Sequence, residues 1–130
     1  MIEAKSILDF WFIECSPKMW FKKSDEFDAL IRIRFLNSIK KSLKTNIDDV
    51  NIALDTYLSL IILLDQFTRN VFRNSSKSFE GDNKAVKLTK IAIDNNFIKG
   101  SNHYYNILMD LLNITILALY FLIRPQKICL

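Results

Sequence analysis

The sequence predicts an all-α protein, and three observations support that prediction. The chain of 130 residues contains only two glycines and two prolines, too few for the tight turns that a sandwich or barrel of short strands requires. Hydrophobic residues make up 50% of the chain, enough to build one core and to exclude disordered and low-complexity proteins. Apolar residues also recur at intervals of three and four, the period of an amphipathic helix. We therefore expect about five helices and no strand.

The first expected helix ends before Ser16-Pro17, and the second begins at about residue 25. The apolar segment 7–12 predicts a short helix that ends before this pair, because the residue preceding a proline avoids helical geometry. Ser24 then offers an N-cap to a helix over about 25 to 44, whose basic last turn suits the helix dipole. The apolar positions of this second helix are Phe27, Leu30, Ile31, Phe35 and Ile39.

Three more helices are expected further along the chain. Asp48 and Asp49 can cap a helix that continues to about Arg73 and is too apolar in its middle to lie on the surface. A polar loop follows at 74–78, and Gly81-Asp82 precedes a fourth helix over about 82 to 95. A last helix is expected from His103 onward until Pro125 stops it.

The third predicted helix carries the most informative polar residues of the chain. Gln66, Arg69, Asn70 and Arg73 are spaced so that all four project from one helix face, and Asp65 can pair with Arg69 one turn away. A guanidinium fixed by a neighbouring acid suits a carboxylate or phosphate, and amide side chains add neutral donors and acceptors. This polar stripe therefore predicts a site for an anion or a polar small molecule.

A structural role for the same stripe is the interpretation that we favour over ligand binding. Asp65, Arg69 and Arg73 can tie their helix to the following loop through Glu80 or Asp82, as an internal ion-pair network. Asp82 is expected chiefly as the N-cap of the fourth helix, although it can also be a partner of the stripe.

The remaining candidate residues favour structure over chemistry. Trp11, Phe12, Trp20 and Phe21 are expected in the core rather than around a ligand. His103 is the only histidine and has no acid or cysteine at a useful spacing, so we expect neither a metal nor a catalytic base there. The sequence predicts no cofactor.

Charge and cysteine content narrow the partners and the compartment. The net charge is +4 and the pI is about 9.1, but the basic residues are dispersed, so we do not expect nucleic-acid binding. Cys15 and Cys129 lie far apart in a chain with no secretory leader. This is typical of a reduced, cytoplasmic protein.

Several short motifs succeed one another between about residues 5 and 100: Leu8-Asp9-Phe10-Trp11-Phe12, Trp20-Phe21, Phe27-Asp28, Arg34-Phe35, Leu63-Leu64-Asp65-Gln66-Phe67, Arg69-Asn70, Phe72-Arg73, Ser78-Phe79, Asp82 and Ala85. In this order and at these spacings, they resemble the bacterial family called domain of unknown function 924. The resemblance implies an all-helical protein of helical hairpins, similar to the tetratricopeptide-repeat superfamily, with no established activity.

The chain departs from the family pattern after Gly100. The family's later Pro-Phe-x-His-Ser-Glu motif is absent, and an apolar tail follows instead. We therefore hypothesise a truncated or frameshifted member, with an incomplete family-like domain at 1–100 and a divergent apolar helix at 101–130.

Residues 104–123 are long enough to cross a bilayer, but Asp110 argues against insertion because a carboxylate is costly there. A membrane-attached fragment is thus an alternative that we do not favour. The leading expectation is a binding or interaction domain with a protein partner or self-association, which we favour over an enzyme without excluding one. The other alternative is an enzyme or binding protein for a small anionic ligand, in which Arg69 and Arg73 hold the anion, Gln66 and Asn70 orient it, and Asp65 positions Arg69.

Overall fold

The computed structural model describes residues 3–47 and 53–94, which form helices joined by short connections. No strand occurs in these two ranges, so the all-α prediction is confirmed. The α-helices are α1 (Ala4–Asp9), α2 (Pro17–Phe21), α3 (Asp25–Lys44), α4 (Leu54–Ile61), α5 (Thr68–Val71) and α6 (Asp82–Asp94). Two π-helical turns, π1 (Phe10–Glu14) and π2 (Ile62–Phe67), extend α1 and join α4 to α5, and a 3₁₀ turn spans Ser76–Phe79.

The first helical segment ends before Ser16-Pro17, as expected because the residue preceding a proline avoids helical geometry. The Cys15 N–H donates to the Phe10 carbonyl at 3.0 Å, which closes the wide turn of π1, and Cys15 itself is extended. Ser16 then precedes Pro17 at the start of α2, a helix of five residues that the sequence did not predict. The Trp20 indole N–H donates to the Trp11 carbonyl at 3.1 Å and holds α2 against π1.

Helix α3 has the expected boundaries and cap. The Ser24 hydroxyl accepts a hydrogen bond from the Phe27 N–H at 3.2 Å, acids occupy the first turn and lysines the last. The buried face consists of Phe27, Ile31, Phe35, Ile39 and Ser42. Leu30, another apolar position of the predicted period, lies outside this buried face and is 40% exposed.

One continuous helical segment, α4–π2–α5, forms the centre of the molecule. Residues 57–65 are all buried, as their apolar composition predicts. The segment ends at Val71, two residues before the predicted end at Arg73, and Asn74 turns the chain with a positive φ of 66°. The Arg32 side chain of α3 donates to the Val71 carbonyl, which satisfies an acceptor at the helix end.

Aromatic rings join the helical segments in the core. Phe10, Phe35 and Phe67 contact one another with ring centroids 5.1–5.8 Å apart, and Trp11 stacks on Trp20 at 5.3 Å. The predicted core role of Trp11 is confirmed, and Phe12 and Trp20 are partly buried against the same core. The Phe21 side chain lies outside what the structure describes.

Helix α6 is fixed against both neighbours near its start. A Cβ added at Gly81 would lie 2.8 Å from the Leu64 carbonyl carbon, so the backbones before α6 and in π2 approach closely. Lys84 donates to the carbonyl groups of Leu43 and Thr45, the latter at 2.9 Å, and so joins α6 to the end of α3.

Several predictions fall outside the described residues. These are the last helix from His103, the apolar stretch 104–123 and Cys129. The expectation that Asp48 and Asp49 cap the third predicted helix is wrong, because α4 begins at Leu54 and extended Ala53 occupies its N-cap position. Among the helices of residues 3–47 and 53–94, none is long and apolar enough to cross a membrane.

Candidate functional site

The predicted polar stripe lies on π2, α5 and the turn that follows, between α3 and α6. The side chains of this stripe have two different sets of partners. Gln66 donates to the Asp65 carboxylate and Arg69 to the Asp82 carboxylate. Asn70 and Arg73 instead donate to the carboxylate of Asp28 on α3. The structure therefore divides the stripe into two clusters.

The Arg69 cluster consists of Asp65, Gln66, Arg69 and Asp82. The Arg69 Nη2 atom lies 3.6 Å from Asp65 Oδ1 and 3.4 Å from both carboxylate oxygens of Asp82. Arg69 Nε donates to the Asp65 carbonyl at 3.1 Å, and the Gln66 amide donates to the Asp65 carboxylate. The guanidinium also lies 5.6 Å from the centre of the Phe79 ring. Arg69 thus joins π2 to the start of α6.

Burial dominates the electrostatics of the Arg69 cluster. Asp65 is 1% exposed and Asp82 is 7% exposed. Burial raises the pKa of Asp82 to about 6; the Arg69 charge opposes this rise and the Asp65 carboxylate adds to it. One guanidinium therefore faces two buried carboxylates, and Asp82 takes up a proton at mildly acidic pH.

Asp82 is a partner of the stripe, and its expected role as N-cap is corrected by one residue. Helix α6 begins at Asp82, so Gly81 occupies the cap position, and its carbonyl accepts from the Ala85 N–H at 2.9 Å. Asp82 instead directs its carboxylate to Arg69. Glu80, the other predicted partner, is exposed.

The Asp28 cluster consists of Asp28, Asn70 and Arg73. Arg73 donates from Nε and Nη2 to the two carboxylate oxygens of Asp28, at 2.7 and 3.1 Å, and the Asn70 amide donates to one of them at 2.8 Å. Burial opposes ionisation of Asp28, but the hydrogen bonds from Arg73 and Asn70 hold its pKa below the usual range. This cluster joins the first turn of α3 to the turn after α5.

Sequence reasoning about the stripe missed Asp28. The helix dipole alone explains an acid in the first turn of α3, so the sequence offered no separate reason to expect that Asp28 also binds Asn70 and Arg73. The available signal was its place in the Phe27-Asp28 motif that contributes to the family resemblance.

Comparison with known proteins places both clusters inside one family region. The chain matches the family described as "Bacterial protein of unknown function (DUF924)" over residues 7–113, which is more than half of its length. The protein belongs to the DUF924 family. No curated protein and no solved structure matches the chain. The domain boundary expected at residue 100 stays a prediction, because residues 95–130 lie outside the described part.

The DUF924 region also contains an open cleft beside the Asp28 cluster. It measures about 330 Å³ and lies between the start of α3 and the end of α5. Three cationic side chains line it, Lys23, Arg32 and Arg73, together with the carboxylates of Asp25 and Asp28. Of the stripe residues that were predicted to bind an anion, only Asn70 and Arg73 line this cleft, and Arg69 does not.

The two clusters have limited chemical scope. Both arginines of the stripe already contact carboxylates, which leaves the Arg69 guanidinium bound between α6 and π2. In residues 3–47 and 53–94, no group of three or more histidine, cysteine or acidic side chains is placed to hold a metal ion. Cys15 is buried, and burial raises the pKa of its thiol to about 11, with a smaller contribution from Glu14. The geometry supports connections between helices better than a reaction.

Proposed function

We propose that this DUF924 member is an interaction domain that binds a protein partner through the outer face of α3. The observation that carries the proposal is the exposure of Ile33, which is 82% exposed in the middle of a regular helix. Leu30, one turn earlier, is 40% exposed on the same side, and Ala29, which precedes Leu30, is also exposed. Apolar residues clustered on one exposed helix face are typical of interaction sites.

The buried face of α3 does not need these residues. The core contacts of the helix come from the opposite side, where Phe27, Ile31, Phe35 and Ile39 are all less than a tenth exposed. Replacing Ile33 by serine should therefore leave the free energy of unfolding unchanged within about 0.5 kcal/mol. A partner that covers the face would give the exposed isoleucine its function.

A photo-crosslinking amino acid at position 33, in the producing cells, tests this proposal. We expect a discrete protein adduct at position 33 and none at position 90, an exposed lysine on α6 that serves as the matched control. Mass spectrometry of the adduct then shows which protein the face contacts. The same adduct pattern at both positions, or no adduct at position 33, would contradict the proposal.

A second candidate function is binding of a small anion in the cleft beside the Asp28 cluster. The three cations Lys23, Arg32 and Arg73 that line the cleft favour it. Titration of inorganic phosphate should raise the melting temperature of the wild-type protein, since a ligand that binds the folded state stabilises it. Lys23→Gln should lose that rise while Lys90→Gln retains it, and equal rises in both variants would refute anion binding at the cleft.

A cytoplasmic location and a tetratricopeptide-like arrangement of the hairpins complete the proposed function. The buried free thiol of Cys15 suits a reducing compartment. The contact of α3 with the α4–π2–α5 segment is the kind of helix pairing from which hairpin arrays are built. Fractionation of cells producing the full chain tests the location, and recovery with the membranes would contradict it.

A further inference from the structure

We propose that the partner is a second copy of this chain, and that the two α3 helices pack antiparallel about a two-fold axis at Ile33. This inference rests on the proposed function and names its partner. It concerns the outer face of α3, which we define by residues that are all exposed: Asp25, Glu26, Ala29, Leu30, Ile33, Asn37, Lys40, Lys41 and Lys44.

The outer face changes its chemistry along the helix. Its first turn is acidic, with Asp25 and Glu26; its middle is apolar, with Leu30 and Ile33; its last two turns are basic. Ile33, the most exposed large hydrophobic residue of the described ranges, lies in the apolar middle. The face therefore has an acidic end, an apolar centre and a basic end.

The charges are placed symmetrically about Ile33. Glu26 and Lys40 are each seven residues from it, which is two turns or about 10 Å along the axis in opposite directions and almost the same direction around it. Asp25 and Lys41 are each eight residues away, but they lie about 80° to opposite sides of Ile33 and are not paired by the symmetry. An antiparallel copy centred on Ile33 thus brings Glu26 next to Lys40 of the partner, twice.

This symmetry favours a second copy over an unrelated protein. In a two-fold interface the same residues meet from both sides, so one face must be complementary to itself. A parallel pair of α3 helices would instead place acids against acids and lysines against lysines. The helix dipole explains acids at the start and lysines at the end of α3, but it does not explain an exposed isoleucine midway between them.

A neighbouring cation is neutralised within each copy. Arg34 follows Ile33 and would otherwise place two like charges close to the axis. It is bound by Glu14, whose carboxylate accepts from both terminal nitrogens at 2.6 and 3.2 Å, and its guanidinium lies 4.7 Å from the centre of the Phe10 ring. Arg34 therefore adds no uncompensated charge beside the axis.

The size of the outer face of α3 determines how tightly the proposed dimer should bind. One face of a 20-residue helix is a small interface, so the dimer should be weak and form only at high protein concentration. The charge pairs at its rim should make it weaker in high salt.

Sedimentation of the full chain over a concentration series tests the proposal by charge exchange. Glu26→Lys and Lys40→Glu should each be monomeric at concentrations where the wild-type protein is a dimer, because each places like charges together. An equimolar mixture of the two variants should dimerise again, since every pair then joins a lysine to a glutamate. Two exposed positions elsewhere, Glu80→Lys and Lys90→Glu, carry the same charge changes and should dimerise like the wild type.

Two further variants keep the test decisive if a charge reversal weakens the helix itself. Ile33→Ser changes no charge and no core contact, and Ile33→Asp places two carboxylates at the axis. We expect the dissociation constant to rise about thirtyfold or more in Ile33→Asp, as for a central interface residue, and by a smaller factor in Ile33→Ser. Circular dichroism checks that each variant stays folded.

A wild-type chain that stays monomeric throughout, or a variant mixture that does not dimerise, would overturn the dimer. These results are distinguishable from failure of the interaction function. If position 33 crosslinks to a different protein, the face binds a partner and only the second copy is refuted. If position 33 gives no adduct at all, both proposals fail.

Discussion

Arg73 binds Asp28 through two parallel hydrogen bonds, Nε to Oδ2 at 2.7 Å and Nη2 to Oδ1 at 3.1 Å, across 45 residues of sequence. This pair connects α3 to the turn that follows the central helical segment. Because both side chains are partly shielded from water, it should contribute more than an ordinary surface ion pair.

Asp28→Asn tests the contribution of this pair. The amide keeps the shape of the side chain but loses the charge and one of the two acceptors, so we expect a loss of about 1–2 kcal/mol in the free energy of unfolding. Urea denaturation monitored by circular dichroism measures it. Asp55→Asn, an exposed position at the start of α4, is the control and should change little. Equal stability of the two variants would show that the pair contributes nothing.

Arg69→Met tests whether the Arg69 cluster is structural. The thioether keeps much of the volume but removes the cation that faces the buried Asp65 and Asp82 carboxylates. We expect a loss of about 3 kcal/mol at neutral pH, the usual cost of breaking a buried pair from one side. Thermal and urea unfolding measure the loss. A variant as stable as the wild type would point instead to an arginine kept for a ligand.

The contribution of Asp82 to the free energy of unfolding should fall as the pH rises from about 4 to about 6. Burial raises the pKa of Asp82 to about 6 in the folded chain, above the ordinary value of 3.8. Between these two values the folded state holds a proton that the unfolded state has released, so each increase in pH favours unfolding. Asp28, whose pKa is lowered, acts in the opposite direction and at lower pH, since its contribution is lost as its carboxylate becomes protonated.

Asp82→Asn should remove this pH dependence. The fall in the free energy of unfolding attributable to Asp82 is roughly 2 kcal/mol across the window, and the variant should show a flatter profile between pH 4 and 6. Urea denaturation at several pH values measures it, with Asp55→Asn as the variant that keeps the wild-type slope. A wild-type profile that rises through this range would mean that Asp82 is ionised there.

The sequence was sufficient to predict α3 and the buried central helical segment, but not α2 or the partners of the polar stripe. Ser24 and the spacing of Phe27, Ile31 and Phe35 predicted α3 correctly, because a cap and an apolar period are local properties of the chain. The polar spacing likewise placed Arg69 one turn from Asp65. Leu30 shares the apolar period without joining the buried face, because three-residue spacing from Phe27 is compatible with either the buried face or its flank.

Long-range contacts decided the remaining features. Asp28 was not predicted beside Arg73 because nothing in 45 residues of separation indicates which acid an arginine meets. The wide turns π1 and π2 have no residue signature of their own, and π2, which contains Asp65 and Gln66, changes where the side chains of the stripe point. The ligand-binding role of Asp65, Gln66, Arg69, Asn70, Arg73 and Asp82 stays a prediction.

Gly81 is required by packing, and Gly81→Ala tests that requirement. A Cβ at this position would overlap the Leu64 backbone, which belongs to the buried π2 turn and cannot move as a flexible side chain would. We expect a loss of about 1–3 kcal/mol in the free energy of unfolding, the usual cost of forcing extra volume into a packed site. Asn83→Ala, two residues further at an exposed position, should keep the wild-type stability and shows that alanine itself is tolerated at the start of α6. If Gly81→Ala were as stable as Asn83→Ala, a Cβ at position 81 would have more room than a distance of 2.8 Å to the Leu64 carbonyl carbon leaves.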